Sequence, residues 1–321
     1  MNKVKWILML LVMLGLTPVS YCQISPSAYE NIDYLMTFGK EASPKWGDDD
    51  YTQVHFFVIP KAEQKAVYIR IFDPSTSGDF DTKNGTFDTK TTFTLYGGKG
   101  VHSVKAARSI NPQQGYDKGK LLAKKTFGSE AKYNNSWYTF GPINPKEGEY
   151  SEQFKGYIFK MICKGVAGND GNAYKYSLSY QKSENIPVEN GNIFTYEMSF
   201  KLVSKKSSVA HIYPFITDDI KSIIINNFDA DDDIYVRITS IARKLVKAGV
   251  SLDGTWSSKL LKILPKEINT SIDVQMVKKS NVNNDMTVFI LNQYKEAMPL
   301  FSVPIGGKPK YLYKVNLNYK F

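Results

Sequence analysis

Two clusters of acidic residues are the positions in this sequence whose type and spacing best match a metal-binding site. In the second half, NNFDADDDIYVRI places Asp229, Asp231 and Asp233 at alternate positions directly before an apolar run. They match the first three ligand positions of an EF-hand loop, but Ile234 stands where that loop needs Gly and Ser240 where it needs a bidentate Glu. The sequence therefore excludes an EF-hand and leaves open a calcium site built by acids from neighbouring loops.

The first half carries two more acidic loops. Asp48, Asp49 and Asp50 precede one apolar strand, and Asp79 and Asp81 lie in a loop between two others. Carboxylate oxygens are preferred ligands of calcium, so these loops together predict a calcium site at one end of a β-sandwich. The structural alternative is that consecutive Asp residues shape turns and keep strand starts hydrated. Both interpretations stay open from the sequence.

Three tryptophans lie in polar surroundings that suit the binding of sugars. They are Trp46 in SPKWGDDD, Trp137 in NNSWYTFG and Trp256 in DGTWSSK. An aromatic ring covers the C–H face of a sugar while neighbouring Asn and Asp bind its hydroxyl groups. The three are therefore predicted glycan-binding residues, with burial in a sandwich core as the alternative.

Signals of catalysis are weak. The histidines His55, His102 and His211 lack the spacing of a zinc site, and the sequence contains neither G-x-S-x-G nor a P-loop. Cys163 alternates with apolar residues, which predicts a buried structural thiol. Dispersed acids could still form a glycosidase pair, because such a pair depends on spatial separation and not on spacing in sequence.

Composition favours a folded protein that does not bind nucleic acid. The 321 residues are 42% hydrophobic and 13% aromatic, enough to bury a core, and the formal net charge is +10. Most of the positive charge comes from lysine spread along the chain, with only four arginines. Specific base and phosphate recognition favours the planar fork of arginine, so a nucleic-acid partner is not predicted.

Residues 1–22 are predicted to be a signal peptide. A lysine-bearing start and a short apolar core lead to the small residues Ser20 and Cys22, three and one before a cut. The mature chain would begin at Gln23 and act in the periplasm, at the outer-membrane surface or outside the cell. The alternative is a lipoprotein anchored through Cys22, which the bulky Tyr21 disfavours. No other segment is long and apolar enough to predict a transmembrane helix.

Apolar alternation predicts an all-β fold of two tandem antiparallel β-sandwich domains, residues 23–185 and 186–321. The segment IFTYEMSFKL (193–202) is predicted to be one strand with its apolar residues on one face. SIDVQMV and MTVFILNQY predict a hairpin around a polar loop, and SSKLLKIL is the best candidate for a helical turn. The alternating run 311–321 predicts a final sandwich strand, with the closing strand of an outer-membrane β-barrel as the alternative.

The segments VYIRIFDPSTSGDFDTKNGTFDTKTTFTLYGG (67–98) and GNAYKYSLSY (171–180) resemble the pre-peptidase C-terminal family, small secreted β-sandwiches appended to exported enzymes. The resemblance covers roughly Tyr51 to Tyr180 and implies an accessory module without catalytic activity. Asp79-Phe80-Asp81 approximates the Asp-x-Asp that this family carries before an aliphatic strand. The expected function is therefore binding of a glycan or another envelope protein; an exported polysaccharide hydrolase and an outer-membrane β-barrel protein are the alternatives.

Overall fold

The computed structural model describes residues 23–48, 50–112 and 114–313. Within these ranges the regular elements are β-strands and four short 3-10 helices, which confirms the predicted all-β class. The predicted signal peptide, Asp49 and most of the predicted terminal strand lie outside the described residues. In the described part of the chain, no helix is long and apolar enough to cross a membrane.

The described part of the chain contains twenty-two strands. Those before the predicted domain boundary are β1 (Ile24–Ser25), β2 (Tyr34–Phe38), β3 (Thr52–Pro60), β4 (Val67–Phe72), β5 (Lys90–Gly97), β6 (Lys120–Phe127), β7 (Trp137–Ile143), β8 (Glu149–Ser151), β9 (Gly156–Ala167) and β10 (Gly171–Ser179). Those after it are β11 (Asn192–Thr195), β12 (Glu197–Lys201), β13 (Val209–Ile212), β14 (Phe215–Ile216), β15 (Ser222–Phe228), β16 (Ile234–Thr239), β17 (Val246–Ala248), β18 (Trp256–Lys262), β19 (Thr270–Ser271), β20 (Asp273–Lys278), β21 (Asp285–Asn292) and β22 (Leu300–Phe301). The 3-10 helices are Lys105–Arg108, Ala131–Tyr133, Pro145–Glu147 and Pro265–Glu267.

The strands form antiparallel sheets. The largest has nine strands in the order β18-β15-β21-β12-β2-β10-β4-β7, with β1 paired to β10. A seven-stranded sheet has the order β22-β11-β3-β9-β5-β6, with β8 paired to β9. A four-stranded sheet has the order β13-β20-β16-β17, and β14 pairs with β19. Layers of this kind bury the apolar side of each strand against a facing sheet.

Backbone pairing crosses the predicted domain boundary at residue 185. Strand β12 pairs with β2 through Phe200 and Leu35, and β11 pairs with β3 through Ile193 and Phe57. The two predicted domains therefore share two sheets. Whether each of them folds independently is not tested by this pairing, and the boundary stays a prediction. This arrangement brings loops of the two predicted domains into contact, which decides where the candidate sites lie.

The first sandwich packs the β10 and β4 face of the nine-stranded sheet against the seven-stranded sheet. Ring centroids of Phe57 and Tyr176 lie 5.5 Å apart, and those of Phe93 and Tyr174 lie 5.2 Å apart. Cys163 is buried among them, as predicted, and burial raises the pKa of its thiol to about 12. A thiol held in its neutral form in an apolar core is a packing residue and not a nucleophile.

The segment 193–202 does not form the single strand that the sequence predicts. It breaks at Tyr196 into β11 and β12, which belong to different sheets. Phe194 and Tyr196 join an aromatic cluster with Phe56, whereas Phe200 joins the main core. The hydroxyl of Thr195, bonded to the carbonyl of Val54 at 2.8 Å, helps hold the chain where it switches sheets.

The predicted hairpin of SIDVQMV and MTVFILNQY is also wrong. These segments are β20 and β21, which lie in the four-stranded and the nine-stranded sheet. The polar loop between them therefore crosses from one layer to the other. Both strands are largely buried, and the apolar residues of each need a facing layer to cover them. SSKLLKIL falls largely in β18, an edge strand paired with β15, and not in a helical turn.

Candidate functional site

The predicted acids of the first half that the structure describes lie in separate turns, where several of them accept backbone hydrogen bonds. Asp48 accepts a hydrogen bond from the backbone N–H of Tyr51 at 3.2 Å, and Asp50 accepts one from Thr52 at 2.9 Å. Asp79 is exposed, and Asp49 lies outside the described residues. In the residues that the structure describes, these acids are not gathered into a cluster of three carboxylates, and calcium binding by them stays a prediction.

Asp81 is the acid of this set that is held most firmly. Its Oδ2 accepts hydrogen bonds from the backbone N–H groups of Ser77 and Gly78, each at 2.8 Å, and its Oδ1 accepts one from Ala173 at 2.8 Å. Burial raises its pKa to about 7, partly offset by these N–H donors. The carboxylate therefore ties the loop after β4 to strand β10.

In the second half, the structure gathers Asp229, Asp231 and Asp253, whose carboxylate oxygens lie within 4.8 Å of one another. We name these three residues the acid corner. The predicted partner Asp233 is turned away and forms an ion pair with Lys278, while Asp232 pairs with Lys279 at 2.7 Å. Sequence reasoning missed Asp253, although its place beside Trp256 in SLDGTW was a signal.

Backbone donors and mutual repulsion set the electrostatics of the acid corner. The two oxygens of Asp229 accept N–H groups of Gly47 and Gly254, each at 2.7 Å, so this acid joins loops of both predicted domains. Burial raises the pKa of Asp229, and the neighbouring carboxylates add to the increase. Burial and then Asp253 raise the pKa of Asp231. The corner can attract a cation, and calcium binding there stays a prediction.

Two of the three predicted sugar-binding tryptophans lie beside the acid corner, Trp46 in a loop and Trp256 at the start of β18. Trp46 precedes Gly47, and Trp256 follows Thr255, whose carbonyl accepts the N–H of Asp229 at 3.3 Å. Their exposed fractions are 37% and 39%. These rings therefore keep some surface for a ligand, and their glycan-binding role stays a prediction.

Trp137 lies apart from the acid corner, half-buried on the edge strand β7. The guanidinium of Arg70 lies 4.9 Å from its ring centroid, and its ring packs against Phe72 at 5.3 Å. Arg70 also donates a hydrogen bond to the carbonyl of Ser183 at 3.1 Å. One face of the Trp137 ring is therefore already engaged in a cation–π contact, and its glycan-binding role stays a prediction.

A groove of about 590 Å³ lies between the two predicted domains. One wall is the first-domain loop that carries Lys105 and Arg108, and the other is the second-domain loop that carries Lys295 and Glu296. An exposed ion pair, Lys105 Nζ to Glu296 Oε1 at 3.3 Å, joins the two walls. This volume lies within the range of about 300–1,000 Å³ that is typical of small-ligand sites.

Aromatic rings line the groove, among them Phe154, Tyr196 and Phe301. The buried Phe194 supports them: Phe154 stacks on it with ring centroids 4.9 Å apart, and Phe301 packs against it at 5.4 Å. The Nε2 atom of His102 hydrogen-bonds the hydroxyl of Tyr196 at 2.8 Å, and burial lowers the pKa of His102 to about 4. A neutral imidazole therefore fixes the tyrosine that lines the groove.

Sequence reasoning missed this groove because no single segment encodes it. Its walls come from positions about 190 residues apart, and Tyr196, which lines it, lies where the segment 193–202 switches sheets. The one signal available was Arg108, one of four arginines, in the polar loop VHSVKAARS. Its Nε atom is buried without a hydrogen-bond partner among the described residues.

One pair in the described chain has the geometry of a catalytic dyad. Nδ1 of His211 lies 2.8 Å from Oδ1 of Asp273, and both side chains are largely buried. The other ring nitrogen, Nε2, lies 3.2 Å from Nζ of Lys308 and not beside a hydroxyl or thiol. His211 also stacks on Tyr213 with centroids 5.9 Å apart. The pair therefore anchors the four-stranded sheet to the loop after β22.

Comparison with known proteins gives no close relative. No protein-family model matches the sequence, and no curated protein is similar to it. Among solved structures, the T=1 Penaeus vannamei nodavirus aligns with a TM-score of 0.19 and 8% identity over 84% of this chain and 95% of that chain. The CBM22-1-CBM22-2 tandem domain of Paenibacillus barcinonensis Xyn10C aligns with a TM-score of 0.14 and 8% identity over 77% and 78%. Function must therefore be argued from the chain's own residues.

Proposed function

We propose that this protein is an exported, non-catalytic binding module whose ligand is a glycan held in the groove between the two predicted domains. The observation that carries the proposal is the combination of an aromatic lining with a polar rim in one concavity. Rings such as Phe154 offer a surface for the C–H face of a sugar, and polar side chains on the rim bind hydroxyl groups.

The rim supplies the polar groups that such a ligand needs. Gln153 and Asp219 are exposed there, and Arg108 carries a buried Nε donor that has no partner among the described residues. A buried donor without an acceptor costs free energy, so an acceptor on the ligand would gain by meeting it. A glycan hydroxyl or carboxylate oxygen fits this requirement.

Direct binding measurements on a panel of soluble polysaccharides test the groove. Ser109→Trp should fill the groove from its exposed wall and abolish binding, whereas the matched control Ser129→Trp, exposed on another loop, should bind like wild type. Phe154→Ala should weaken binding by roughly 1–3 kcal/mol, about 5- to 150-fold in Kd.

Three outcomes would overturn this assignment. If the wild-type protein binds no member of the panel, a glycan ligand is contradicted. If the Ser109→Trp variant binds normally, the groove is not the binding site. Loss of binding in Trp256→Ala, with Ser109→Trp unaffected, places the sugar at the acid corner, as the tryptophan pattern predicts.

A hydrolase is the second candidate because two carboxylates, Asp219 and Glu296, line the same groove. Glycosidases place two carboxyl groups on either side of the scissile bond. If the protein is a binding module, no reducing ends should appear when it is incubated with a polysaccharide that it binds. If reducing ends are released, and Asp219→Asn abolishes their release, the protein is a hydrolase.

Export rests on residues 1–22 of the sequence and is tested separately. Material recovered from the cell envelope or medium should begin at Gln23, and lipid attached to Cys22 would support the lipoprotein alternative. A cytoplasmic protein that retains Met1 would contradict export without bearing on the groove.

A further inference from the structure

Three buried side-chain oxygens without hydrogen-bond partners lie in and beside the loop between β4 and β5. They are Oδ2 of Asp73, Oγ1 of Thr76 and Oδ1 of Asn172, which find no partner among the described residues. All three residues have an exposed fraction of 0%. Buried polar atoms are nearly always paired, and each unpaired one costs about 1–3 kcal/mol. Two of these atoms belong to one loop, and the third belongs to a residue bonded to that loop, which indicates a group that they bind in common.

Side-chain contacts tie Asn172 on β10 to the loop that carries Asp73 and Thr76. The Nδ2 of Asn172 donates to the carbonyl of Pro74 at 3.0 Å, which fixes its amide against the residue that follows Asp73. A Cβ built on Gly78 would lie 3.0 Å from Oδ2 of Asp73, so this carboxylate oxygen faces the turn at Gly78. That turn is held by Asp81, through the N–H of Gly78 at 2.8 Å. The loop is therefore organised before any ligand arrives.

The chemistry of these atoms selects a hard cation. All three are oxygens, one of them a carboxylate, and the exposed Asp79 lies in the same loop. Among the described residues, no lysine or arginine forms an ion pair with Asp73, Asp79 or Asp81. Burial raises the pKa of Asp73 to about 6, and the nearby Asp79 adds to the increase. A water molecule could bond these oxygens, but it could not balance the negative charge of the Asp73 carboxylate.

We propose that the loop Asp73–Asp81 binds one calcium ion through Asp73, Thr76 and Asn172, with Asp79 closing the site from the solvent side. Calcium takes six to eight oxygen ligands, including carboxylate and amide oxygens, and tolerates irregular geometry. The carboxylates of the loop do not form a cluster of three like the acid corner, because amide and hydroxyl oxygens provide the remaining ligands. The site is independent of the groove and of its ligand.

The binding test uses the mature chain, stripped with EDTA and then titrated with calcium chloride. Calcium at about 1,000 times its Kd should raise the melting temperature by roughly 5–10 °C, because it binds only the folded state. Asp73→Asn should lose this rise. Asparagine tolerates the left-handed backbone at this position, where φ is 54°, and keeps an acceptor for the N–H of Asn135. In EDTA at pH 8 this variant should melt no lower than wild type, since it removes an unbalanced buried charge.

Asp231→Asn is the matched control because it removes one carboxylate from the acid corner and leaves the loop intact. It should keep the full calcium-dependent rise. Gly78→Ala is the second variant, and it should weaken calcium binding, because its methyl group would lie 3.0 Å from Oδ2 of Asp73 and crowd that oxygen. Magnesium should raise the melting temperature less than calcium, since it demands shorter, near-octahedral bonds.

Each contrary result identifies the error. An Asp73→Asn variant that responds to calcium like wild type overturns the site. Loss of the response in Asp231→Asn alone moves the ion to the acid corner. Absence of calcium by elemental analysis after dialysis against millimolar calcium, with identical melting curves, means that water fills the loop.

Discussion

Replacement of Asp170 by asparagine should destabilise the protein strongly, although Asp170 belongs to none of the candidate sites. Its carboxylate has an exposed fraction of 0% and accepts three backbone N–H groups. Oδ1 accepts from Asn84 at 2.8 Å, and Oδ2 accepts from Asp88 at 2.9 Å and Thr89 at 3.2 Å. The backbone N–H of Asp170 in turn donates to Oγ1 of Thr89 at 2.7 Å. One side chain thus organises the whole turn that enters β5.

The magnitude follows from the number of donors left without an acceptor. Asparagine has one oxygen, and its best orientation keeps the bonds to Asp88 and Thr89 and points its amide group at the N–H of Asn84. Hydrogen bonds to a charged acceptor are worth about 1.5–3 kcal/mol, and an unpaired buried donor costs about 1–3 kcal/mol. We therefore expect Asp170→Asn to lower the free energy of unfolding by about 2–4 kcal/mol, and Asp170→Ala to lower it further.

Urea denaturation followed by tryptophan fluorescence measures the change as a lower midpoint at constant slope. Asp88→Asn is the matched control, because this acid is exposed in the same turn and should change stability by less than about 0.5 kcal/mol. If Asp170→Asn and Asp88→Asn unfold at the same urea concentration, the turn does not depend on this carboxylate and the reasoning is refuted.

Two further predictions concern pH and the predicted domain boundary. Raising the pH from about 5 to about 8 should lower the free energy of unfolding through Glu30, because burial raises its pKa from 4.5 to about 8 and the folded chain binds the extra proton in that window. Urea midpoints should fall less for Glu30→Gln than for wild type, and equal slopes with pH would contradict this. Residues 23–185 and 186–321 expressed separately should give no cooperative melt, because the β2–β12 and β3–β11 pairings join them. A cooperative transition in either half alone would show that the boundary marks an independent domain.

Strand existence could be predicted from the sequence, but strand partners could not. Period-two alternation located IFTYEMSFKL correctly as extended chain, because alternation follows from the geometry of one strand. It gave no sign of the break at Tyr196, since residues on either side of the break are buried, only in different clusters. The prediction of a β20–β21 hairpin was wrong for the same reason. A polar loop between two apolar strands suits a turn within a sheet and a crossing between sheets equally well.

The candidate sites were predictable only where one loop supplies the residues. Asp229 and Asp231 are neighbours in sequence and do lie together. Asp233 was assigned to the same group by spacing, but it forms an ion pair with Lys278 on strand β20 instead. Asp253 joins instead from a loop more than twenty residues away. The groove between the predicted domains depends on two such distant loops, and nothing local in the sequence predicts it.

The number of aspartates in a stretch was therefore a weaker guide to metal binding than whether their carboxylate oxygens already accept hydrogen bonds. Asp81 and Asp229 lie in acidic loops that the sequence singles out, yet both oxygens of each accept backbone N–H groups and shape turns. Asp73 stands alone before Pro74 in the sequence, and its Oδ2 is buried with nothing among the described residues to bond. A carboxylate whose oxygens are taken has little left to offer an ion, whereas one with a buried free oxygen gains most from binding one. This distinction is why the calcium test begins at Asp73 and uses the acid corner as its control.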